Sequence, residues 1–272
     1  PIVQDEDANA VRRLNQFTGP FILRRMKSEV LRELPPKTEN VRRVELETEQ
    51  RKLYLAAVVD AREKLRAAKP EDKMTVFAVL MRLREICCDP RLVADNWTGS
   101  SAKLEACLEL VTEAVAGGHR ILLFSQFTSM LELLAKRLDE AGVSHFTLQG
   151  STPKPVRAEQ VRRFNQGEAD VFLISLRAGG TGLNLTAADI VIHYDPWWNL
   201  AAQNQATDRA YRIGQRNPVQ VYRLIAQDTI EEKIVELQQA KQSLADTVTG
   251  GADGAILSMN PEQLLQLLGE EA

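Results

Sequence analysis

The chain of 272 residues is 44% hydrophobic and 26% charged, with a net charge of −3, which is the composition of a globular protein and excludes disorder as its main state. The negative balance argues against a nucleic-acid binder of the strongly basic kind, and no apolar run approaches the roughly 18 to 20 residues that a membrane-spanning helix requires. The three cysteines, with Cys87 and Cys88 adjacent, have no metal-ligand spacing to the three histidines and read as reduced, buried thiols.

The first residues, PIVQDEDANA, have neither a basic leader nor an apolar signal core, so a soluble, unsecreted chain is expected. Because it opens at Pro1, it is expected to be part of something longer. The segment from Arg12 to Arg43 is more basic than the remainder. That asymmetry permits a phosphate-facing strip, and equally a solvated helix face balanced by Glu29, Glu33 and Glu39. From Val11 to about Val93, apolar residues recur at helical spacing in RKLYLAAVVDAREKLRAA and MTVFAVLMRLREIC, interrupted at Pro35, Pro36 and Pro70. Helices are expected there, with one short strand in TENVRRVEL.

A loop around DNWTGS opens a second regime, in which the apolar runs RILLFS (120–125), HFTLQ (145–149), DVFLIS (170–175), DIVIHY (189–194) and VQVYRLI (219–225) alternate with helical stretches. Short, continuously apolar strands joined by helices predict an α/β fold with a parallel sheet sandwiched by helices. In such sheets function gathers in loops at the carboxyl ends of the strands. That rule selects SQFT (125–128), QGSTP (149–153), SLRAGGTG (175–182) and YDPWWN (194–199). Farther on, DTIEEKIVELQQAKQSLADTV carries Thr229 three residues before Glu232, the spacing of a capping box, and an apolar stripe of Ile230, Ile234, Leu237 and Leu244. PEQLLQLLG repeats that amphipathic logic on a smaller scale.

Three of these segments carry candidate chemistry. Gly179, Gly180 and Gly182 follow a predicted strand, where glycines let the backbone approach a ligand and turn N–H groups toward an anion. A purely structural turn needs the same residues, and no lysine follows to complete G-x-x-x-x-G-K-[ST]. Trp197 and Trp198 sit at a loop tip, available for base stacking or for core packing. Gln205, Arg209 and Arg212 share one face of a helix expected to end at Gly214. They offer an amide and two guanidinium forks to a phosphate; ion pairing of Asp208 with Arg212 is the alternative use.

The segments FILRRMKSEVLRELPPKTE, ILLFSQFTSMLELLAKRL, LQGSTPKPVRAEQVRRFN, SLRAGGTGLNLTAADIVIHYDPWWN, QATDRAYRIGQ and DTIEEKIVELQQAKQSLADTV occur in one order. In order and spacing the chain resembles the carboxyl-terminal half of a Swi/Snf-family ATPase. That family is the branch of helicase-like superfamily two that translocates on double-stranded DNA, and the likeness runs from about Phe21 to Leu268 with a bacterial or archaeal flavour. It implies a RecA-like sheet preceded by an α-helical protrusion and linker. On that pattern, residues 1–98 are protrusion and linker, 99–250 the second RecA-like lobe with a brace helix at Thr229 to Val248, and 251–272 a tail with a short helix.

The resemblance further implies ATP and Mg²⁺ as cofactors. The phosphate lysine and the Mg²⁺-binding carboxylates belong to an amino-terminal lobe whose motifs do not occur in these 272 residues, so this chain by itself is expected to be inactive. Arginine fingers fall on Arg209 and Arg212. Nucleotide contacts fall on Gly179, Gly180, Thr181, Gly182 and Gln205, and DNA contacts on Ser125, Gln126, Gly150, Ser151, Thr152, Arg177 and Trp198. No metal ligand is expected in this chain. Implied partners are double-stranded DNA, the amino-terminal RecA-like lobe and a larger protein complex, with no membrane. The implied location is the cytoplasm or nucleoid of a prokaryote, or the nucleus of a eukaryote. Two departures stand out: Leu200 where the family has proline, and Gln203 where an acidic residue is common. A non-catalytic binding module that keeps the lobe fold and a strand-separating helicase lobe are the competing functions.

Overall fold

The computed structural model describes residues 34–176, 178, 182–247 and 259–269, and within the last helix before residue 248 the side chains up to residue 239. Arg177, Gly179, Gly180 and Thr181 lie outside the described residues, as does the basic segment before residue 34.

Six parallel strands form one sheet: β1 (Lys37–Val44), β2 (Ile121–Ser125), β3 (His145–Leu148), β4 (Val171–Ser175), β5 (Ile190–His193) and β6 (Val219–Ala226), in the spatial order β1-β6-β5-β2-β4-β3. β2, β4 and β5 are buried at every position, which is why their sequences read as unbroken apolar runs and not as alternation. Ile121 and Leu123 face one core with Leu173 and Ile192; Leu122 and Phe124 face the other with Phe172 and Val191. The first core is closed by α3 (Ala102–Ala116) and α4 (Thr128–Glu140), the second by α5 (Lys154–Asn165) and α6 (Leu200–Thr207).

A third core lies beside the sheet. It joins α1 (Thr48–Ala67), α2 (Lys73–Cys88), α7 (Ile230–Thr247) and α8 (Pro261–Leu267). Gln50, Tyr54, Val58, Ala61 and Leu65 form the buried seam of α1, at the three-and-four spacing of a helix face. Asp72 caps α2 by accepting from the Thr75 amide at 3.0 Å.

Two local expectations need correction. The helix carrying the opening of QATDRAYRIGQ ends at Thr207, not at Gly214. To continue, it would need the Arg209 and Ala210 carbonyls as acceptors. Those carbonyls are taken instead by the Leu185 amide at 3.0 Å and by Gln215 Nε2 at 3.2 Å. Gly214, at φ +103°, then reverses the chain in a region that L-residues rarely enter. At the start of α7, Thr229 and Glu232 are not reciprocally bonded. Thr229 Oγ1 donates to the Ala226 carbonyl and accepts from the Glu231 amide, while the Glu232 carboxylate accepts from the Asp228 amide at 2.8 Å. The reciprocal capping box occurs at α8, between Asn260 and Gln263.

Strand β1 falls on TENVRRVEL, where one short strand is expected within an otherwise helical stretch. It pairs with β6 from Lys37↔Val219 to Val44↔Ala226, so the chain forms a sheet edge before entering the helical pair. No helix among the described residues is long and apolar enough to cross a membrane.

Candidate functional site

The carboxyl ends of β2, β3, β4 and β5 open onto a groove of about 520 Å³ lined by Gln126, Gln149, Gly150, Ser151, Ser175 and Trp198, with Thr128 beside them. Trp197, Phe77 and Met81 complete its apolar wall. The groove thus gathers four of the expected DNA contacts, Gln126, Gly150, Ser151 and Trp198, from three loops. Gly150 and Ser151 are exposed, and Thr152 closes their turn: its hydroxyl accepts from the Gln149 amide at 3.0 Å. Ser125 is placed differently. It is fully buried, and its hydroxyl donates to Asp195 Oδ1 at 2.6 Å, so its side chain faces inward while the adjacent Gln126 faces the groove.

Trp197 and Trp198 are half-buried, their rings 4.9 Å apart, and Trp198 meets Phe77 edge-on at 6.2 Å. Gln238 on α7 donates to the Trp197 carbonyl, and Gln203 Oε1 accepts from the Trp197 amide at 3.4 Å. The amide at position 203 therefore supplies the acceptor that a carboxylate would. Leu200 opens α6 without proline because Asn199 caps it, accepting from the Ala202 amide at 2.9 Å.

Beneath the loop, Asp195 is fully buried and receives Ser125 Oγ, the Gln126 amide at 3.2 Å and Arg84 Nη2 at 3.3 Å. Burial pushes its carboxyl above the usual range, against the pull of Arg84 and of these hydrogen bonds. Neither Arg84 nor Asp195 was singled out by sequence; Arg84 stands beside Glu85 in "REICC" and Asp195 is the one charge in "YDPWW", and charge next to an apolar stretch is the signal they offer.

A second cluster surrounds Arg209 and Arg212, which lie on consecutive turns after α6. Arg209 is 7% exposed, and its Nε and Nη2 atoms are buried without a hydrogen-bond partner among the described residues. Burial, and then the neighbouring Arg212 charge, lower its pKa, with Asp208 opposing. Half-buried Arg212 donates to the Leu183 carbonyl at 3.3 Å, and the Leu185 amide donates to the Arg209 carbonyl. These bonds join the arginine turn to the segment after the glycines. There Gly182 is exposed at φ +46°. Gln205 is exposed on α6, where no turn of that helix continues to bring it into one stripe with both arginines. A guanidinium held charged, desolvated and only partly engaged is suited to an anion such as a phosphate. No group of three or more His, Cys, Asp or Glu residues among the described residues is arranged to hold a metal ion.

Comparison with known proteins matches residues 1–92 to the SNF2-related domain and residues 102–214 to the helicase conserved C-terminal domain. A Mycoplasma pneumoniae protein named as an uncharacterized ATP-dependent helicase is 40% identical over 255 residues, covering 93% of this chain and 25% of its own length. The mouse SWI/SNF-related matrix-associated actin-dependent regulator of chromatin subfamily A member 1 is 37% identical over 255 residues, covering 89% of this chain and 24% of its own length. The chain therefore spans about a quarter of these relatives. The Sulfolobus solfataricus SWI2/SNF2 ATPase core in complex with dsDNA superposes with a TM-score of 0.73 at 30% identity, over 99% of this chain and 58% of that one. With its parallel sheet, its loop-edge groove and these matches along its length, the chain belongs to the Swi/Snf family of helicase-like superfamily two and carries a RecA-like carboxyl-terminal lobe.

Proposed function

We propose that the chain is the second motor lobe of an ATP-driven translocase on double-stranded DNA, with residues 1–98 as protrusion and linker, 99–250 as the lobe and 251–272 as a tail. The observation that carries this reading is Arg209, a desolvated guanidinium whose Nε and Nη2 have no hydrogen-bond partner among the described residues, joined through Leu185 to the segment that follows Gly182. In the full-length protein the other wall of the cleft would be the amino-terminal lobe, which would hold Mg²⁺ and most of the nucleotide. Bound ATP supplies the γ-phosphoryl group that is transferred to water. Arg209 and Arg212 face the charge that develops on that group, and Arg209, already stripped of water, needs little reorganisation to do so. By the resemblance, Gly179, Gly180, Thr181 and Gly182 would supply backbone N–H groups to the nucleotide, and Gln205 a side-chain contact.

Gln126, Gly150, Ser151 and Trp198, with Thr152 nearby and Arg177 by the resemblance, would meet the duplex, and the backbone at Ser125 would support Gln126. Contacts of this kind go mainly to phosphates and are indifferent to sequence. Closure and reopening of the cleft while both lobes hold the backbone would shift one lobe along the duplex. The duplex in the superposed archaeal core supports this reading.

The test is hydrolysis by the full-length protein. Duplex DNA of any sequence is expected to stimulate turnover without strand displacement, and apparent duplex affinity is expected to fall with salt by about 0.9 logarithmic units per phosphate contacted and decade of salt. Turnover indifferent to duplex DNA would overturn the reading, and strand displacement would favour a strand-separating motor.

A further inference from the structure

Arg84 is 0% exposed on α2, one helical face with Phe77 and Met81 of the groove. Its Nη2 donates to Asp195 Oδ2 at 3.3 Å and to the Pro196 carbonyl at 2.6 Å. Its guanidinium lies 4.5 Å from the centre of the Trp198 ring and 5.5 Å from that of Phe127. Asp195 in turn holds the Gln126 amide. One side chain therefore reaches both walls of the groove: Trp198 directly, and Gln126 through a carboxylate.

The chemistry favours positioning over simple packing. Arg84 Nε and Nη1 have no hydrogen-bond partner among the described residues, and a buried charge with unmet donors is costly to keep. An apolar side chain would fill the same volume more cheaply. It could not grip a carboxylate and a carbonyl while lying charged over an indole, and a lysine, whose ammonium is a point charge, could not make the same forked contacts.

We propose that Arg84 is a positioning residue for DNA engagement, fixing Gln126 and Trp198 relative to each other and to α2. This rests on the reading of the groove as a duplex contact. A shift of α2 against the sheet is then felt at both walls together.

The experiment measures hydrolysis by the full-length protein as a function of duplex and of ATP concentration, for Arg84→Lys and Arg84→Gln, each alone and combined with Trp198→Ala. Loss of a charged hydrogen bond is expected to raise the half-saturating duplex concentration about tenfold, with KM for ATP within about twofold. Because Arg84 acts partly on Trp198 and partly on Gln126 through Asp195, the double variants should fall short of the product of the two single effects. Half-saturation unchanged from the unmodified protein, or single effects that multiply in full, would overturn the proposal. Should Arg84→Gln fail to fold, Arg84→Lys, which keeps the charge opposite Asp195, decides alone. If the unmodified protein shows no stimulation by duplex, the translocase reading fails and the positioning role falls with it. Stimulation that is untouched by Arg84→Lys removes the positioning role only.

Discussion

His193 has little use for a second proton. It is 1% exposed, its Nε2 lies 2.9 Å from Thr207 Oγ1, and its ring stacks on Phe124 at 5.6 Å. Burial first, and the Arg223 charge second, push its pKa from the ordinary 6.5 down to about 3. Below pH 6.5 the unfolded chain therefore binds a proton that the folded chain refuses until about pH 3, and stability present above that window is lost as pH falls through it. Asp195 and Glu231, raised by burial, act with the opposite sign, so the effect of His193 is isolated by comparison with a variant. His193→Gln should hold its stability relative to the unmodified chain better as pH falls from 7 to 5, by up to about 1.4 kcal/mol per pH unit below the ordinary pKa. Urea unfolding at a series of pH values measures this, and parallel curves for the two chains would contradict it.

At the scale of elements, the helical core is pinned to the sheet at the amino end of α7. The Tyr54 hydroxyl accepts from the Ile230 amide at 2.7 Å. Lys103 at the start of α3 pairs with Glu231, both fully buried, and Glu231 also accepts from the Ala226 amide at 2.8 Å. Lys103→Met strands a buried carboxylate and should destabilise the fold by about 3 to 5 kcal/mol. Pairing it with Glu231→Gln should recover most of that loss in urea unfolding, and a double variant no better than the single would contradict a true buried pair.

The strands were legible because burial on both faces leaves unbroken apolar runs: RILLFS, DVFLIS and DIVIHY became β2, β4 and β5 with ends within one residue. What stayed hidden depends on distant partners. Nothing local in TENVRRVEL places it beside a strand some 180 residues later, and the end of α6 is set by Leu185 and Gln215, which lie outside it. The resemblance named groove residues that the structure gathers, such as Gln126 and Trp198. Arg84, Asp195, Lys103 and Glu231 were not singled out in the sequence, and the fold buries all four.

Across the whole molecule, two candidate sites share one sheet. Loops after β2, β3 and β5, with α2 beside them, build the groove, and the turns after α6 carry the arginines. The Trp197–Trp198 loop runs between them, fastened to α2 through Arg84, to α6 through Gln203 and to α7 through Gln238. A lobe built this way would tie grip on DNA to the placement of charge in the cleft, provided that Arg209 and Arg212 act across it. The most direct measurement is single-turnover hydrolysis by the full-length protein at saturating ATP and duplex, with Arg209→Ala and Arg212→Ala set beside the unmodified protein and nucleotide affinity measured in parallel. Charge stabilisation across the cleft predicts turnover lowered about 10³-fold or more in each variant, with nucleotide Kd within about threefold. Turnover close to that of the unmodified protein in both variants would contradict it.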